Sequence, residues 1–296
     1  MEMQPVLAAT DFSPLADAAI ERAALLAKQQ GSELHLLHVL PRITWEAFGR
    51  ALVEHPLITE KQLYDAARAR LEEVAQAIMK RHSISVRAYV DIGRPHEGIA
   101  EYVRAHAIGL TVLGPHAGSL GRDLFIGSTA LRVLRASTEP TLVAQNSAAR
   151  PYQRVLVAVD FSDISRHALA CAARIAPHAE IHALHVFDVP FEGKMHYAGV
   201  DDDVIQQYRN AAAMEAEDLM NQFLLRLGKQ YAVVPNTRQG HPARNILDEA
   251  HRIDADLIVI GKHTRSGLEQ FIIGSVAEGV LYGLDRDLLM AIEHKV

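Results

Sequence analysis

Cysteine is nearly absent from this 296-residue chain, in which Cys171 stands alone. One thiol makes no internal disulfide and completes no multi-cysteine zinc pattern, which favours a reducing compartment. Aromatic residues are scarce at 6%, and no excess of basic charge exists: Lys+Arg 30 against Asp+Glu 36 leaves a net −6. Such a chain has no general attraction to nucleic acid or to an anionic membrane. Long apolar runs are missing too. The longest, such as Leu257–Gly261 and Ala168–Ala173, fall far short of the ~20 residues that span a bilayer. The first residues, Met1-Glu2-Met3-Gln4-Pro5, carry acid where a secretory signal carries base. The expectation is a cytoplasmic protein with neither nucleic acid nor membrane among its partners.

What is present is a globular composition, 49% hydrophobic and 22% charged, of a length that suits about two domains. The chain is written twice. Val6-Leu-Ala-Ala-Thr-Asp11-Phe-Ser13 returns as Val155-Leu-Val-Ala-Val-Asp160-Phe-Ser162, an offset of 149. Leu37-His38-Val39 returns as Leu184-His185-Val186 at an offset of 147, which still holds at Gly93/Gly240, Gly114/Gly261 and Gly127/Gly274. Two fused copies of one domain, 1–147 and 151–296, follow, with the join near Gln145–Pro151.

Each copy alternates short apolar runs with amphipathic stretches. The runs Val6–Ala9, Leu34–Leu40, Ile84–Val90, Leu110–Leu113 and Thr141–Ala144 read as strands. So do Val155–Val159, Ile181–Phe187, Tyr231–Val234, Leu257–Ile260 and Leu288–Ile292. Ser13–Gln30, Glu60–Arg81, Pro95–His106 and Ser128–Ala136 read as helices, as do Ser162–Ala176, Val204–Gly228, Pro242–Arg252 and Ser275–Tyr282. Ser13-Pro14 supplies a capping oxygen and a proline at the first helical position, and Gly93-Arg-Pro95 and Gly240-His-Pro242 are expected to start the third helix of each copy likewise. Leu219, Phe223 and Leu227 read as a core stripe. Near-continuous apolar strands between helices predict an α/β fold: two tandem, doubly wound, five-stranded parallel sheets.

In such sheets ligands sit beyond the carboxyl ends of the strands, where strand order reverses. There the first strand ends in Thr10-Asp11 or Val159-Asp160. The fourth ends in Gly114 or Gly261 and leads to Gly127-Ser128-Thr129 or Gly274-Ser275-Val276 at the last helix. A helix start offers free amides and about half a positive charge to a phosphate, and a carboxylate opposite can accept from ribose hydroxyls. The base would lie near the backbone after Val39 or Val186, and His116 and His263 could donate to phosphates. Plainer readings stand beside these. Asp11 and Asp160 could organise the turn into the first helix, Ser275 with Glu278 fits a capping box, the glycines could serve tight turns, and His38 and His185 could be structural. No Cys/His cluster with metal spacing appears.

These residues resemble the universal stress protein family, twice over, as a tandem member. The likeness rests on the Asp-Phe-Ser opening, Leu-His-Val, and Gly261-Lys-His-Thr-Arg-Ser-Gly267 through Ile273-Gly274-Ser275. It implies an adenine nucleotide alpha-hydrolase-like, pseudo-dimeric fold, with the two domains pairing through their last strands, and association of two chains stays open. It also implies a stress-response role and binding of ATP or AMP, with Mg accompanying ATP and slow ATP hydrolysis left open, while the residues themselves suggest no structural metal and no catalytic residue. In the family's Gly-x2-Gly-x9-Gly-(Ser/Thr) motif the middle glycine is replaced by Ala117 and by Thr264, and Gly118 is the substitute at hand in the first copy. Those replacements keep a second expectation open, an interaction protein that binds no nucleotide. The segments Pro41–Thr59 and Asp188–Asp203 follow the second strands and could serve as lids or as plugs.

Overall fold

The computed structural model describes residues 4–41, 59–115, 126–145, 150–228, 231–262 and 273–292. The chain divides into two compact units, Met1–Pro151 and Tyr152–Val296. In the first, β1 (Val6–Ala9), β2 (Leu34–Leu40), β3 (Val86–Ile92), β4 (Leu110–Leu113) and β5 (Thr141–Val143) alternate with α1 (Pro14–Gln30), α2 (Glu60–His82), α3 (Pro95–Ala105) and α4 (Ser128–Ala136). The second contains β6 (Arg154–Ala158), β7 (Glu180–Phe187), β8 (Val233–Gln239), β9 (Leu257–Lys262) and β10 (Asp287–Ile292). Its helices are α5 (Asp163–Ile175), α6 (Glu192–Tyr197), α7 (Asp202–Leu227), α8 (Pro242–Arg252) and α9 (Ser275–Tyr282).

Every strand pair within a unit is parallel. The order is β3-β2-β1-β4-β5 in the first and β8-β7-β6-β9-β10 in the second. Strand order reverses between β1 and β4, and between β6 and β9, so one carboxyl-end crevice opens at each of these points. Central strands are apolar on both faces because helices cover both: Val6, Leu7 and Ala8 are fully buried, as are Val155, Leu156 and Val157. Helix α1 presents Ala16, Ala19, Ala23 and Ala27 to the core, small side chains that let it lie close over the sheet.

The outer strands depart from the sequence reading. β8 runs to Gln239, five residues beyond the expected Val234, and β3 begins two residues later than expected. Each pairs on one side only among the described residues, so it is less buried than the central strands, and Pro235 sits where an edge strand tolerates it. Three further expectations are corrected. The third helices begin with proline, but Arg94 and His241 give no side-chain cap. Helix α9 is capped by the Gly274 backbone and Ser275 is already helical, so the Ser275–Glu278 capping box does not form. On α7, Leu219 is 41% exposed, and the buried stripe is Ile205, Ala216, Met220 and Phe223.

Candidate functional site

Each crevice is built from the turn that follows the first strand. Asp11 Oδ1 accepts from Ser13 N (3.0 Å) and Asp160 Oδ1 from Ser162 N (3.1 Å). Both acids therefore organise the entry into the helix, as the plainer reading held. Between acid and serine the chain passes through a left-handed residue, Phe12 (φ 62) or Phe161 (φ 66). A non-glycine residue there is strained, and each ring is held against a histidine: Phe12 on His38 at 4.4 Å, Phe161 on His185 at 4.2 Å. The histidines are structural. His38 Nδ1 donates to Thr10 O (2.7 Å) and His185 Nδ1 to Val159 O (2.9 Å), tying the second strand's end to the first's. Since a carbonyl only accepts, these bonds fix the tautomer.

The structure brings the acid and the distant helix start into one cavity, in each unit. The first cavity, about 540 Å³, is walled by Thr10, Asp11, Val39 and Gly114 on one side and by Gly127, Ser128 and Thr129 on the other. The second, about 270 Å³, is walled by Val159, Asp160, Val186 and Gly261, facing Gly274, Ser275 and Val276. His116, Gly118 and His263 lie outside the described residues, as do Ala117 and Thr264. Gly127 and Gly274 take ordinary helix-entry geometry (φ −61 and −59), and a side chain built on Gly274 would meet open space.

The first glycine of each motif has a packing role. A Cβ on Gly261 would lie 2.2 Å from Ile164 Cγ2, and one on Gly114 would press on the Leu15 carbonyl at 3.1 Å. These positions let the first helix start directly against the fourth strand.

One side chain that matters for the second unit, Glu192, was not singled out by the sequence reading. Glu192 accepts from Gln239 Nε2 (2.6 Å) and from Arg209 Nε (2.8 Å), pinning α6 to α7 and β8. No residue of 188–203 is among the described wall of the second cavity, and Tyr197 is 96% exposed. That segment is therefore not a plug. Of the first unit's corresponding segment, Pro41 lines the cavity, while Trp45, Phe48 and Pro56 lie outside the described residues.

Lys262, next to Gly261, is only 3% exposed, and burial lowers its pKa from 10.5 to about 8. The unfolded chain then holds this proton more tightly, so stability rises with pH between about 8 and 10.5. Lys262→Met is expected to remove that slope, read from urea midpoints of both proteins across the range.

Comparison with known proteins agrees with this architecture. The universal stress protein family profile matches residues 2–145 and again 151–291. A universal stress protein of Methanocaldococcus jannaschii is 33% identical over 135 residues, 44% of this chain and 76% of its own. One from Mycobacterium tuberculosis is 29% identical over 192 residues, 62% of this chain and 61% of its own length. Another, from Mycolicibacterium smegmatis, is 26% identical over 294 residues and covers 93% and 92%. The crystal structure of a universal stress protein from Archaeoglobus fulgidus shares the fold with a TM-score of 0.69 at 20% identity, covering 97% of this chain and 98% of that one. Matched twice and nearly end to end, the chain belongs to the universal stress protein family.

Proposed function

We propose that this is a stress-response protein that binds an adenine nucleotide, ATP or AMP, in a carboxyl-end crevice, and that no residue there is catalytic. The observation that carries the reading is the shared wall of the first cavity: a carboxylate from the end of β1 faces the amides and hydroxyls that open α4. Its 540 Å³ falls within the roughly 300–1,000 Å³ of small-molecule sites. Phosphates would sit at Ser128 and Thr129, where a helix start favours an anion. Ribose hydroxyls would donate to Asp11. Thr10 supports the same reading. It is 7% exposed and accepts from Phe12 N (3.0 Å), and its own proton has no acceptor among the described residues.

Isothermal titration with AMP and with ATP tests the proposal. Hydrogen bonds to a charged group contribute about 1.5–3 kcal/mol, so Asp11→Asn is expected to weaken binding by about 10- to 100-fold. Titrations of the unaltered protein that release no heat with either nucleotide, confirmed by equilibrium dialysis, would overturn it in favour of an interaction protein.

A further inference from the structure

The two crevices share one plan, yet the walls differ at positions that matter for a polar ligand. Thr10 of the first corresponds to Val159 of the second, and Thr129 at the helix start to Val276. Ala16 corresponds to Ser165. That last exchange changes the state of the carboxylate. Ser165 Oγ accepts from Asp160 N (2.9 Å) and donates to Asp160 Oδ1 (2.6 Å), which also takes the Ser162 hydroxyl (2.5 Å) and amide (3.1 Å). One oxygen thus has three donors from its own helix start. Asp11 has one donor among the described residues, the Ser13 amide: Ala16 has no hydroxyl to offer, and the Ser13 hydroxyl is not bonded to it.

Local side-chain bonds of this kind compete with a ligand for the same lone pairs. A ribose arriving at Asp160 finds Oδ1 already taken by three local donors, whereas at Asp11 Oδ1 holds one. The loss of two wall hydroxyls removes donors for phosphate and sugar. The second cavity is also half the volume, 270 against 540 Å³, below the usual range of small-molecule sites (about 300–1,000 Å³).

We propose that the chain holds one mononucleotide, in the first unit, and that the residue at the third position of the first helix, Ala16 or Ser165, decides which crevice binds. The inference rests on the nucleotide reading above and adds which crevice is used. Ser165 competes with a ligand for Asp160 Oδ1, and Val159 and Val276 complete the discrimination.

The test uses AMP as probe, with the full chain, by titration calorimetry and equilibrium dialysis. The unaltered protein is expected to take up one equivalent. Ala16→Ser, which transplants the hydroxyl into the first unit, is expected to weaken uptake at least 10-fold with an unchanged circular dichroism spectrum. If that variant does not fold, Thr129→Val serves instead, with an expected loss of about 10-fold. Two equivalents on the unaltered protein overturn the inference alone, as does one equivalent that survives Asp11→Asn, or an Ala16→Ser protein that binds normally. No uptake at all overturns the nucleotide reading and this inference with it.

Discussion

Replacing Glu249 by alanine is expected to destabilise the second unit by about 3 kcal/mol. This carboxylate, on α8, is 0% exposed and is satisfied from three sides. Asn236 Nδ2 donates to Oε1 (2.7 Å), Arg252 Nε to Oε2 (2.8 Å), and Arg238 pairs with Oε2 at 2.5 Å. Removing it leaves two guanidinium groups and an amide without the acceptor they share. Both arginines retain access to water, which keeps the cost at the lower end for breaking a buried pair. The hydrogen bond from Arg252, with help from Asn236 and Arg238, holds the Glu249 carboxyl below its ordinary value of 4.5 against the opposing effect of burial. A depressed carboxylate stabilises above the unfolded pKa and loses that contribution as pH falls through the folded one. The difference between the unaltered protein and Glu249→Ala is therefore expected to be full at pH 7 and to shrink below about pH 4. Urea denaturation at both pH values measures it, and equal midpoints at pH 7 would contradict the account.

Gly261→Ala is the second large effect. The added methyl meets Ile164 Cγ2 at 2.2 Å, and that atom sits on a stiff β-branched side chain that cannot swing aside. Overpacking of this kind costs about 1–3 kcal/mol, and the upper part of that range is expected here. Ile164→Ala in the same chain is expected to recover at least about 1 kcal/mol, the coupling expected of residues in contact. The matching change in the first unit, Gly114→Ala, presses on backbone at 3.1 Å and is expected to cost less, because a few tenths of an ångström of adjustment suffice. Hydrogen exchange of the β6 and β9 amides reports the effect in the unit concerned. Without a positive coupling between the two substitutions, the packing role assigned to Gly261 fails.

Much of this architecture is readable from the residues because burial leaves a mark in composition. β1, β2 and β4 begin and end where their apolar runs do, and α4, α8 and α9 match their expected bounds. The polar edge is where reading fails: Pro235-Asn-Thr-Arg-Gln239 carries no apolar signal, and only pairing with β7 makes it a strand. Helix α6 escapes for a similar reason, since its six residues have none buried and are fixed by Glu192 and its partners. Ser275 followed by Glu278 satisfies the pattern of a cap, yet the backbone enters the helix one residue earlier, at Gly274. The convergence of Asp11 with Ser128, and of Asp160 with Ser275, was legible from topology alone. The inequality of the two crevices was not, because a serine three residues inside a first helix gives no hint that its hydroxyl turns back. Its signal lay in the internal repeat, which sets Ala16 beside Ser165.

The acid and the last helix of each unit follow adjacent strands whose register the main chain fixes, β1 with β4 and β6 with β9. If the first crevice takes a nucleotide as proposed, the described walls already stand in place, and the on-rate is expected to vary little between variants. Differences in affinity between variants then appear as residence time, and stopped-flow dissociation is where a single hydroxyl leaves its clearest trace.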